Sequence, residues 1–363
     1  MSRKSRVVLF SEPHQPLELS EVDWPRLQPG ELLVRVTCCT LCGSDVHTYL
    51  GHRSAPVPTI LGHEILGRVA ELPPGEPPHD ARGEPLRVGD RITWSIAASC
   101  GSCFFCRESL PQKCEHLFKY GHERIVPDHP LSGGLADYCH LAPGTTVLRI
   151  PDTLPDHVAC PANCATATVT AALRIGGNGK NRVILVQGAG TLGLTATAMA
   201  HANGARAVIV SDVNPDRLQW ARRFGATEVV NVADDPKALA SLVADQTCGR
   251  GVDLALEMTG ATAAIQEGLG QIRIGGTYVW VGAVFPDQPV TLSAECIVRG
   301  LISIHGVHNY TPADLVVGVR FLEAHAAHYP FAELVSSTFP LAEADRAFQH
   351  AVSTRAFRVA VVP

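Results

Sequence analysis

The sequence is poor in charged and aromatic residues and has no excess of positive charge. Asp, Glu, Lys and Arg make up 18% of its 363 residues, and Phe, Trp and Tyr make up 6%. The formal net charge of -5 differs from the basic balance that is typical of proteins binding nucleic acids or anionic membranes. We therefore expect neither a nucleic acid nor a membrane as a partner.

The sequence also lacks the apolar segments that direct export or span a bilayer. Its basic first residues pass directly into the strand-like residues 7–10, without an intervening h-region. Residues 183–205 have no charged side chains, but glycines interrupt them, which favours a buried strand, a turn and a buried helix. These features predict a cytoplasmic protein.

Cysteine and histidine, by contrast, are plentiful. The chain has 12 Cys and 16 His, and 46% of its residues are hydrophobic, so it can form a large core without disulfides. Thiols stay reduced in the cytoplasm, where clustered Cys and His indicate metal sites. At about 150 residues per domain, the length predicts two domains.

The two parts of the sequence differ in pattern. Up to about residue 155, short strand-like segments alternate with loops rich in Pro and Gly, whereas strands alternate with helices beyond it. The predicted strands are 183–186, 207–211, 228–232, 252–257, 277–281 and 301–304, and the predicted helices are 165–173, 216–224, 236–246, 313–324 and 341–352. A last strand, 357–362, is expected to return to the first domain. Apolar strands separated by helices predict an α/β, doubly wound parallel sheet.

A G-x-G-x-x-G motif follows the first of these apolar strands and begins a helix. Its residues include Gly188, Gly190, Thr191, Leu192 and Gly193. The first glycine permits the turn, the second lets a pyrophosphate approach the backbone, and the third allows close helix–strand packing. In this context the motif predicts a dinucleotide-binding site.

Asp212 ends the next strand, where a carboxylate would accept hydrogen bonds from an adenosine ribose. It would repel a 2′-phosphate, which favours NAD over NADP. Arg217, one helical turn further on, would reach the same ribose. The alternatives are a turn-forming Asp212 before Asn214 and a plain surface charge at Arg217.

Four cysteines, Cys100, Cys103, Cys106 and Cys114, have the spacing C-x2-C-x2-C-x7-C. Four thiolates fill the coordination shell of a tetrahedral ion, so the pattern predicts a structural zinc site. Disulfides are an alternative, although residues three apart would form strained loops in a reducing compartment. An iron–sulfur cluster is another alternative, because it also takes four thiolates.

Three further motifs supply the remaining candidate catalytic and metal-binding residues. They are C-G-S-D-V-H at residues 42–47, G-H-E at residues 62–64 and N-C-A-T-A-T at residues 163–168. With the other motifs, in this order, they make the chain resemble the zinc-dependent medium-chain alcohol and polyol dehydrogenases over nearly its whole length. The resemblance implies a mainly β, GroES-like catalytic domain (1–157 and 305–363, with a zinc lobe at about 97–116) and an NAD-binding Rossmann domain (158–304).

The resemblance also implies that Cys42, His63 and Cys164 bind a catalytic zinc ion, with Glu64 as an alternating or outer ligand. Some relatives have Glu at the third position, and Cys160, four residues from Cys164, is a competing candidate. Two thiolates and one imidazole leave a fourth position open for an alcohol. Two zinc ions per chain and NAD are therefore the expected cofactors.

A catalytic zinc would act as a Lewis acid on the substrate hydroxyl and stabilise the alkoxide that donates hydride. The resemblance implies a proton relay from Ser44 through the nicotinamide ribose to His47. Asp45 would orient His63. The alternatives are a solvated loop histidine at His47 and a capping role for Ser44.

Thr168 and Arg358 are further cofactor contacts by the same resemblance, and Arg358 would approach the pyrophosphate. In the family, the edge of the cofactor domain often pairs across a dimer. Here that edge would include the strand-like residues 296–298 and 301–304. A homodimer or homotetramer is expected.

The substrate is expected to be a small alcohol or ketone. Residues 115–138 are rich in polar side chains, and His52 and Arg53 follow the first zinc ligand. These residues favour a polar secondary alcohol, namely a polyol, cyclitol or sugar alcohol, phosphorylated or not, and residues 163–168 resemble a cyclitol or phosphonate-pathway branch. The alternatives are a simple alcohol or aldehyde dehydrogenase of the same family and a non-catalytic NAD-binding scaffold.

Overall fold

Two units make up the computed structural model, which describes residues 3–235, 237–284 and 289–363. The first unit comprises the residues up to Cys164, Thr311–Ala326 and Phe331–Pro363, and the second comprises Ala165–Tyr310 and Ala327–Pro330. The division differs from the predicted boundaries at residues 158–164, which belong to the first unit, and at residues 305–310 and 327–330, which belong to the second.

Hydrogen bonds explain the first of these shifts. The Cys160 thiol donates to the carbonyl oxygens of Cys38 (3.3 Å) and Glu64 (3.0 Å). The Asn163 side-chain amide donates to the carbonyl oxygen of His63 at 2.9 Å. These bonds hold residues 160–163 against the strands of the first unit. Nothing in the sequence indicated these contacts.

The first unit is mainly β, as predicted. Its strands up to residue 164 are β1 (Lys4–Phe10), β2 (Glu18–Asp23), β3 (Leu32–Thr40), β4 (Thr59–Ile60), β5 (Glu64–Glu71), β6 (Arg91–Trp94), β7 (Ala97–Ala98), β8 (Phe118–Lys119), β9 (Tyr138–Leu141) and β10 (Val147–Arg149). Its short helices there are α1 (Gly43–Tyr49), α2 (Phe104–Arg107) and α3 (Asp156–Ala159).

The second unit alternates helices and strands. In chain order they are α4 (Ala165–Ile175), β11 (Val183–Gln187), α5 (Thr191–Ala202), β12 (Ala207–Asp212), α6 (Pro215–Arg223), β13 (Glu228–Asn231), α7 (Ala238–Thr247), β14 (Val252–Glu257), α8 (Thr262–Leu269), β15 (Ile272–Trp280), α9 (Ala294–Gly300) and β16 (Ser303–Gly306). The chain then adds α10 (Pro312–His325), β17 (Val335–Pro340), α11 (Ala344–Thr354) and β18 (Arg358–Val362) to the first unit.

All strands of the second unit run parallel, in the order β13-β12-β11-β14-β15-β16. The four apolar residues of β11 are fully buried, which is why this strand reads as a continuous apolar run rather than as an alternation. The predicted doubly wound α/β sheet is confirmed. Among the described residues, no helix combines the length and the apolar composition needed to cross a bilayer.

The main sheet of the first unit has the order β10-β6-β5-β3-β18-β17, with β9 also paired to β3. The expected return of the last strand to the first unit is confirmed, since β18 pairs antiparallel with β3. This pairing places Arg358, the first residue of β18, beside the residues that follow β3. A buried apolar cluster that includes Trp94 and Phe348 fills this unit.

One predicted strand is wrong, and one predicted helix begins outside the described residues. Residues 296–298 lie in α9, where the Ser293 hydroxyl accepts a hydrogen bond from the Cys296 amide at 3.3 Å and Arg299 pairs with Glu295. A capping serine and an (i, i+4) ion pair outweigh the β-branched residues in between. Pro236, the first residue of the predicted helix 236–246, lies outside the described residues.

Candidate active site

Helix α1 presents the first group of candidates. Cys42 is the N-cap, and the Asp45 carboxylate accepts a hydrogen bond from the Cys42 amide at 2.9 Å, which forms a capping box. The capping role considered for Ser44 is therefore taken by Asp45. Ser44 is half-buried and His47 is exposed on the same helix.

Four potential ligands converge next to this helix. The ligand atoms of Cys42, His63, Glu64 and Cys164 all lie within 4.8 Å of one another. The sulfurs of Cys42 and Cys164 are 4.0 Å apart, and the Cys164 sulfur is 3.5 Å from His63 Nε2. Around a tetrahedral zinc ion, two sulfurs lie roughly 3.8 Å apart and a sulfur and an imidazole nitrogen roughly 3.5 Å apart. The donor set therefore fits zinc in both chemistry and spacing.

Asp45 sets the orientation of the His63 ring. Its carboxylate lies 3.1 Å from His63 Nδ1 and also accepts a hydrogen bond from the Gly62 amide at 3.2 Å. Burial alone would lower the pKa of His63, but the Asp45 carboxylate and Cys42 raise it to about 10. With Nδ1 directed at the carboxylate, Nε2 faces the two sulfurs, as a metal-binding histidine requires.

Cys42 is the thiol most prone to ionise in this group. A hydrogen bond from the Cys164 thiol lowers the pKa of Cys42 well below its usual value, and the Arg358 charge and His63 act in the same direction against burial. The Arg358 guanidinium lies 3.7 Å from the Cys42 sulfur. A thiolate is the form that binds a metal.

Glu64 and Arg358 form a buried ion pair. Arg358 Nε and Nη2 each donate to a different oxygen of Glu64 at 2.7 Å, and the Thr40 hydroxyl donates to the same carboxylate at 2.6 Å. Glu64 is fully buried and Arg358 is 6% exposed. Burial raises the pKa of Glu64 despite the opposing charge of Arg358. The Arg358 guanidinium, which was predicted to approach the pyrophosphate, thus has a carboxylate partner in Glu64. Its contact with the pyrophosphate stays a prediction.

The two candidates for the third ligand, Cys160 and Cys164, are in different surroundings. Cys164 faces Cys42 and His63, whereas the Cys160 thiol is fully buried and bonded to two backbone carbonyls. Burial raises the pKa of Cys160 well above its usual value. The geometry therefore favours Cys164.

The four-cysteine lobe brings its sulfurs together in the same manner. Cys103 and Cys114 sulfurs are 3.8 Å apart, and Cys114 and Cys100 sulfurs 3.5 Å apart, whereas a disulfide would require about 2.05 Å. Backbone amides of Cys103 and Cys100 donate to sulfurs at 3.3 and 3.2 Å. Backbone amides of Ser102 and Cys103 lower the pKa of Cys100 to about 5. Cys106 completes the group, and the lobe fits a closed tetrahedral zinc site.

The glycine loop has the geometry that its motif predicts. Gly188 has φ +94°, and a Cβ at Gly193 would lie 1.7 Å from the Gly188 carbonyl oxygen. A Cβ at Gly190 would have its nearest neighbour, Arg217 Nη1, at 4.0 Å, so that face of the loop is open. Helix α5 begins at Thr191, and its N-terminus carries the partial positive charge that attracts phosphate.

Asp212 links the end of β12 to this loop. Its carboxylate accepts hydrogen bonds from the amides of Ala189 at 2.6 Å and Asn214 at 2.8 Å. Asp212 therefore stabilises the turn before Asn214, as the alternative prediction had it, and it also binds the glycine loop directly. Arg217 is half-buried over the loop, rather than extended into solvent, and Thr168 is half-buried on α4. Leu192 is half-buried in the first turn of α5.

Comparisons with known proteins give the same assignment. Residues 28–152 match the family described as the alcohol dehydrogenase GroES-like domain, and residues 191–324 match the family described as zinc-binding dehydrogenase. A 5-exo-hydroxycamphor dehydrogenase of Pseudomonas putida is 33% identical over 88% of each chain, and an L-threonine 3-dehydrogenase of Thermococcus kodakarensis is 32% identical over 85% of this chain and 83% of that protein. The chain belongs to the zinc-dependent medium-chain alcohol dehydrogenases.

The same assignment holds at the level of structure. An alcohol dehydrogenase from Thermotoga maritima superposes with a TM-score of 0.94 at 31% identity, over 99% of this chain and 100% of that chain. The protein is therefore an NAD-dependent oxidoreductase of the alcohol dehydrogenase type, with zinc and NAD as its cofactors. A GroES-like domain and a Rossmann domain are the two parts that this family joins in one chain.

The polar segment 115–138 of this dehydrogenase does not form a single surface. Tyr120 is fully buried, with its hydroxyl 2.5 Å from the Thr145 hydroxyl, and is a core residue. His129 stacks on His140 elsewhere in the unit, at a ring distance of 5.0 Å. Within this segment, His122 faces the candidate zinc site, with its ring centroid 5.1 Å from that of His63.

Three residues beside the two candidate sites were missed by the sequence analysis. Asn163 holds the His63 backbone, and Lys119 lies near the thiols. Glu257, fully buried at the end of β14, accepts bonds from the Gly260 amide at 2.6 Å and the Thr259 hydroxyl at 2.7 Å, and Thr259 packs against Gly188. A buried acidic residue at the end of an apolar strand was the available signal for Glu257. No comparable signal marked Lys119.

Proposed function

We propose that this dehydrogenase oxidises polar secondary alcohols with NAD, or reduces the corresponding ketones, at a zinc site formed by Cys42, His63 and Cys164. The observation that carries the proposal is the group of two sulfurs and one imidazole nitrogen at separations of 3.5 to 4.0 Å. Three ligands leave one position of a tetrahedral ion for the substrate oxygen. Glu64, whose carboxylate is bonded to Arg358 and Thr40, is proposed as an outer group.

The names of the curated relatives support a secondary alcohol. They place the reacting hydroxyl at position 5 of camphor and at position 3 of threonine, and neither is a terminal carbon. The His122 ring, which faces the site and has no hydrogen-bond partner among the described residues, supports a polar substrate, because an apolar alcohol would leave its ring nitrogens unpaired. A polyol, cyclitol or sugar alcohol, with or without a phosphate group, meets both conditions.

The chain's own residues supply the remaining chemistry. A bound zinc ion would act as a Lewis acid that lowers the pKa of the substrate hydroxyl. Ser44, two residues from Cys42, is proposed to accept the proton, and His47 to pass it to solvent. The buried part of its ring and the neighbouring His52 lower the pKa of His47, so His47 is neutral near pH 7 and able to accept a proton.

We further propose that NAD binds at the glycine loop. The open face of Gly190, the α5 N-terminus and Arg217 suit a pyrophosphate, and the Asp212 carboxylate suits the ribose hydroxyls. Thr168 is retained as a proposed contact on the resemblance alone.

Zinc analysis together with NADH absorbance tests this function. We expect two zinc ions per chain and NADH formation with polyols, cyclitols and other polar secondary alcohols. A preference for long apolar primary alcohols would refute the substrate class. One zinc ion per chain and no turnover across a broad panel of alcohols would refute the catalytic assignment.

The third zinc ligand can be tested with two matched cysteines. We expect Cys164→Ser to lower the zinc content by one ion per chain and kcat by at least roughly 100-fold, because a thiolate ligand is lost. Cys160→Ser is the control, since a serine hydroxyl can still donate to both carbonyls and should change kcat less than about threefold. Zinc loss in Cys160→Ser, with none in Cys164→Ser, would reverse the assignment.

The role of His47 predicts a pH dependence. Protonated His47 cannot accept a proton, so kcat should fall as the pH drops below about 6.5, through its lowered pKa. In His47→Gln this acid limb should disappear and kcat at pH 7 should fall roughly tenfold. His52→Gln is the matched control, because His52 lowers the pKa of His47 and its removal should move the limb to higher pH. An unchanged limb in His47→Gln would assign it to another group.

We propose a homo-oligomer that pairs through the edge of the second unit. Strand β16 is the last strand of its sheet among the described residues, and the nearby Val298 and Leu301 are each 71% exposed. An unpaired strand edge beside exposed apolar residues is suited to pairing with a second copy. Light scattering should give a multiple of the 38.7 kDa chain mass, and a monomer at all concentrations would refute this proposal.

A further inference from the structure

A tight turn places a histidine against the proposed zinc ligands. In the turn formed by residues 119–122, the His122 amide donates to the Lys119 carbonyl oxygen at 3.1 Å. A Cβ at Gly121, which has φ +75°, would lie 2.7 Å from the Gly62 carbonyl oxygen and 3.1 Å from His63 Cβ. The turn is therefore pressed against the His63 loop, where only glycine fits.

The His122 ring is buried without a hydrogen-bond partner. Its exposed fraction is 8%, and neither ring nitrogen has a partner within the part of the chain that the structure describes. A buried imidazole normally has both nitrogens satisfied. An imidazole ring carries at least one N–H donor in either protonation state, so the buried His122 ring can donate a hydrogen bond to a bound group.

Two cations, Lys119 in this turn and Arg53, whose backbone amide donates to the His47 carbonyl oxygen at 3.2 Å, have no carboxylate partner among the described residues. Lys119 and Arg53 are half-buried and make no ion pair or side-chain hydrogen bond with any of the described residues. The nearby Glu123 carboxylate accepts the Lys119 backbone amide at 2.9 Å. Burial and Arg53 lower the pKa of Lys119, whereas Cys164, Cys42 and the Asp45 carboxylate raise it.

The charges around the site leave a positive excess. Two thiolates would balance a zinc ion, the buried ion pair of Arg358 is neutral, and the Asp45 carboxylate offsets one further positive charge. Lys119 and Arg53 together therefore exceed the remaining negative charge by one, and a half-buried cation without a partner is costly unless an anion joins it. We propose that Lys119, Arg53 and His122 form a subsite for a carboxylate or phosphate group of the substrate, so that the alcohol is an anionic hydroxy compound.

This inference rests on the proposed function, and paired substrates separate the two. The probes are 3-hydroxybutyrate with its methyl ester, and glycerol 3-phosphate with glycerol, tested on the zinc-loaded protein with NAD. We expect kcat/KM to be at least tenfold higher for one anion than for its neutral partner. A preference for 3-hydroxybutyrate would indicate a carboxylate subsite, and a preference for glycerol 3-phosphate would indicate a phosphate subsite. Turnover of neutral alcohols without any preference for the anions would overturn the subsite and leave the function intact.

Charge-removing variants locate the subsite. Lys119→Met and Arg53→Gln should each lower kcat/KM for the anionic substrate by roughly 10- to 100-fold, and for the neutral partner by less than about threefold. Lys180→Met and Arg26→Gln, which remove exposed charges elsewhere, are the controls. If the variants instead raised KM for NAD with every alcohol, the two cations would serve the cofactor and the inference would be wrong.

A binding measurement keeps the test decisive if no alcohol is turned over. Calorimetry with 3-hydroxybutyrate and glycerol 3-phosphate should detect binding to the zinc-loaded protein with NADH, and His122→Phe, Lys119→Met and Arg53→Gln should weaken it. Binding that all three variants leave unchanged would overturn the subsite. The absence of turnover with any alcohol would be evidence against the proposed function, whatever the binding measurement shows.

Discussion

Cys42→Ser is expected to lower kcat by roughly a thousandfold or more, because the substrate hydroxyl loses its Lewis acid. The zinc content should fall from two ions per chain to one. Folding should be retained, since residue 42 is the N-cap of α1 and serine is a favoured N-cap. Kinetics, zinc analysis and circular dichroism check these three expectations.

Cys296→Ser, at an exposed position on α9, is the control and should keep full activity and both zinc ions. If Cys42→Ser failed to fold, Cys42 would be a structural residue. If it retained both zinc ions and its activity, the catalytic site would lie elsewhere.

Arg358→Met is expected to cost about 3 to 5 kcal/mol of unfolding free energy, because it leaves the fully buried Glu64 carboxylate without its cation. Methionine matches the length of the removed side chain but carries no charge. Chemical denaturation monitored by fluorescence and circular dichroism measures the loss.

Two further variants separate charge from packing. Arg346→Met removes an arginine whose ion pair with Glu343 is exposed and should cost less than about 1 kcal/mol. Adding Glu64→Gln to Arg358→Met removes the unpaired charge and should recover most of the loss. A double variant as unstable as Arg358→Met would mean that lost packing, not charge, is responsible.

The fold of the second unit could be read from the sequence to within a few residues. The predicted strand 252–257 and the observed β14 coincide, and the other predicted strands of the sheet overlap their counterparts. This agreement arises because strands buried on both faces are continuous apolar runs, and glycine marks the turns between them. The residues 296–298 were misread because β-branched composition is a weaker signal than a serine cap.

Spacing along the chain also indicated the metal-binding groups. Cysteines three residues apart, and a His-Glu pair following C-G-S-D, carry a chemical requirement that is visible without a structure. The sequence therefore determined the family, the cofactors and the two sets of potential zinc ligands.

Contacts between distant segments were decided only by the tertiary structure. The choice of Cys164 over Cys160 depends on which thiol faces Cys42, 122 residues earlier. The pairing of Arg358 with Glu64 joins residues 294 positions apart, and the position of His122 depends on a turn pressed against His63. Such contacts follow from the pairing of strands such as β3 and β18, and this pairing leaves no periodic trace in the sequence.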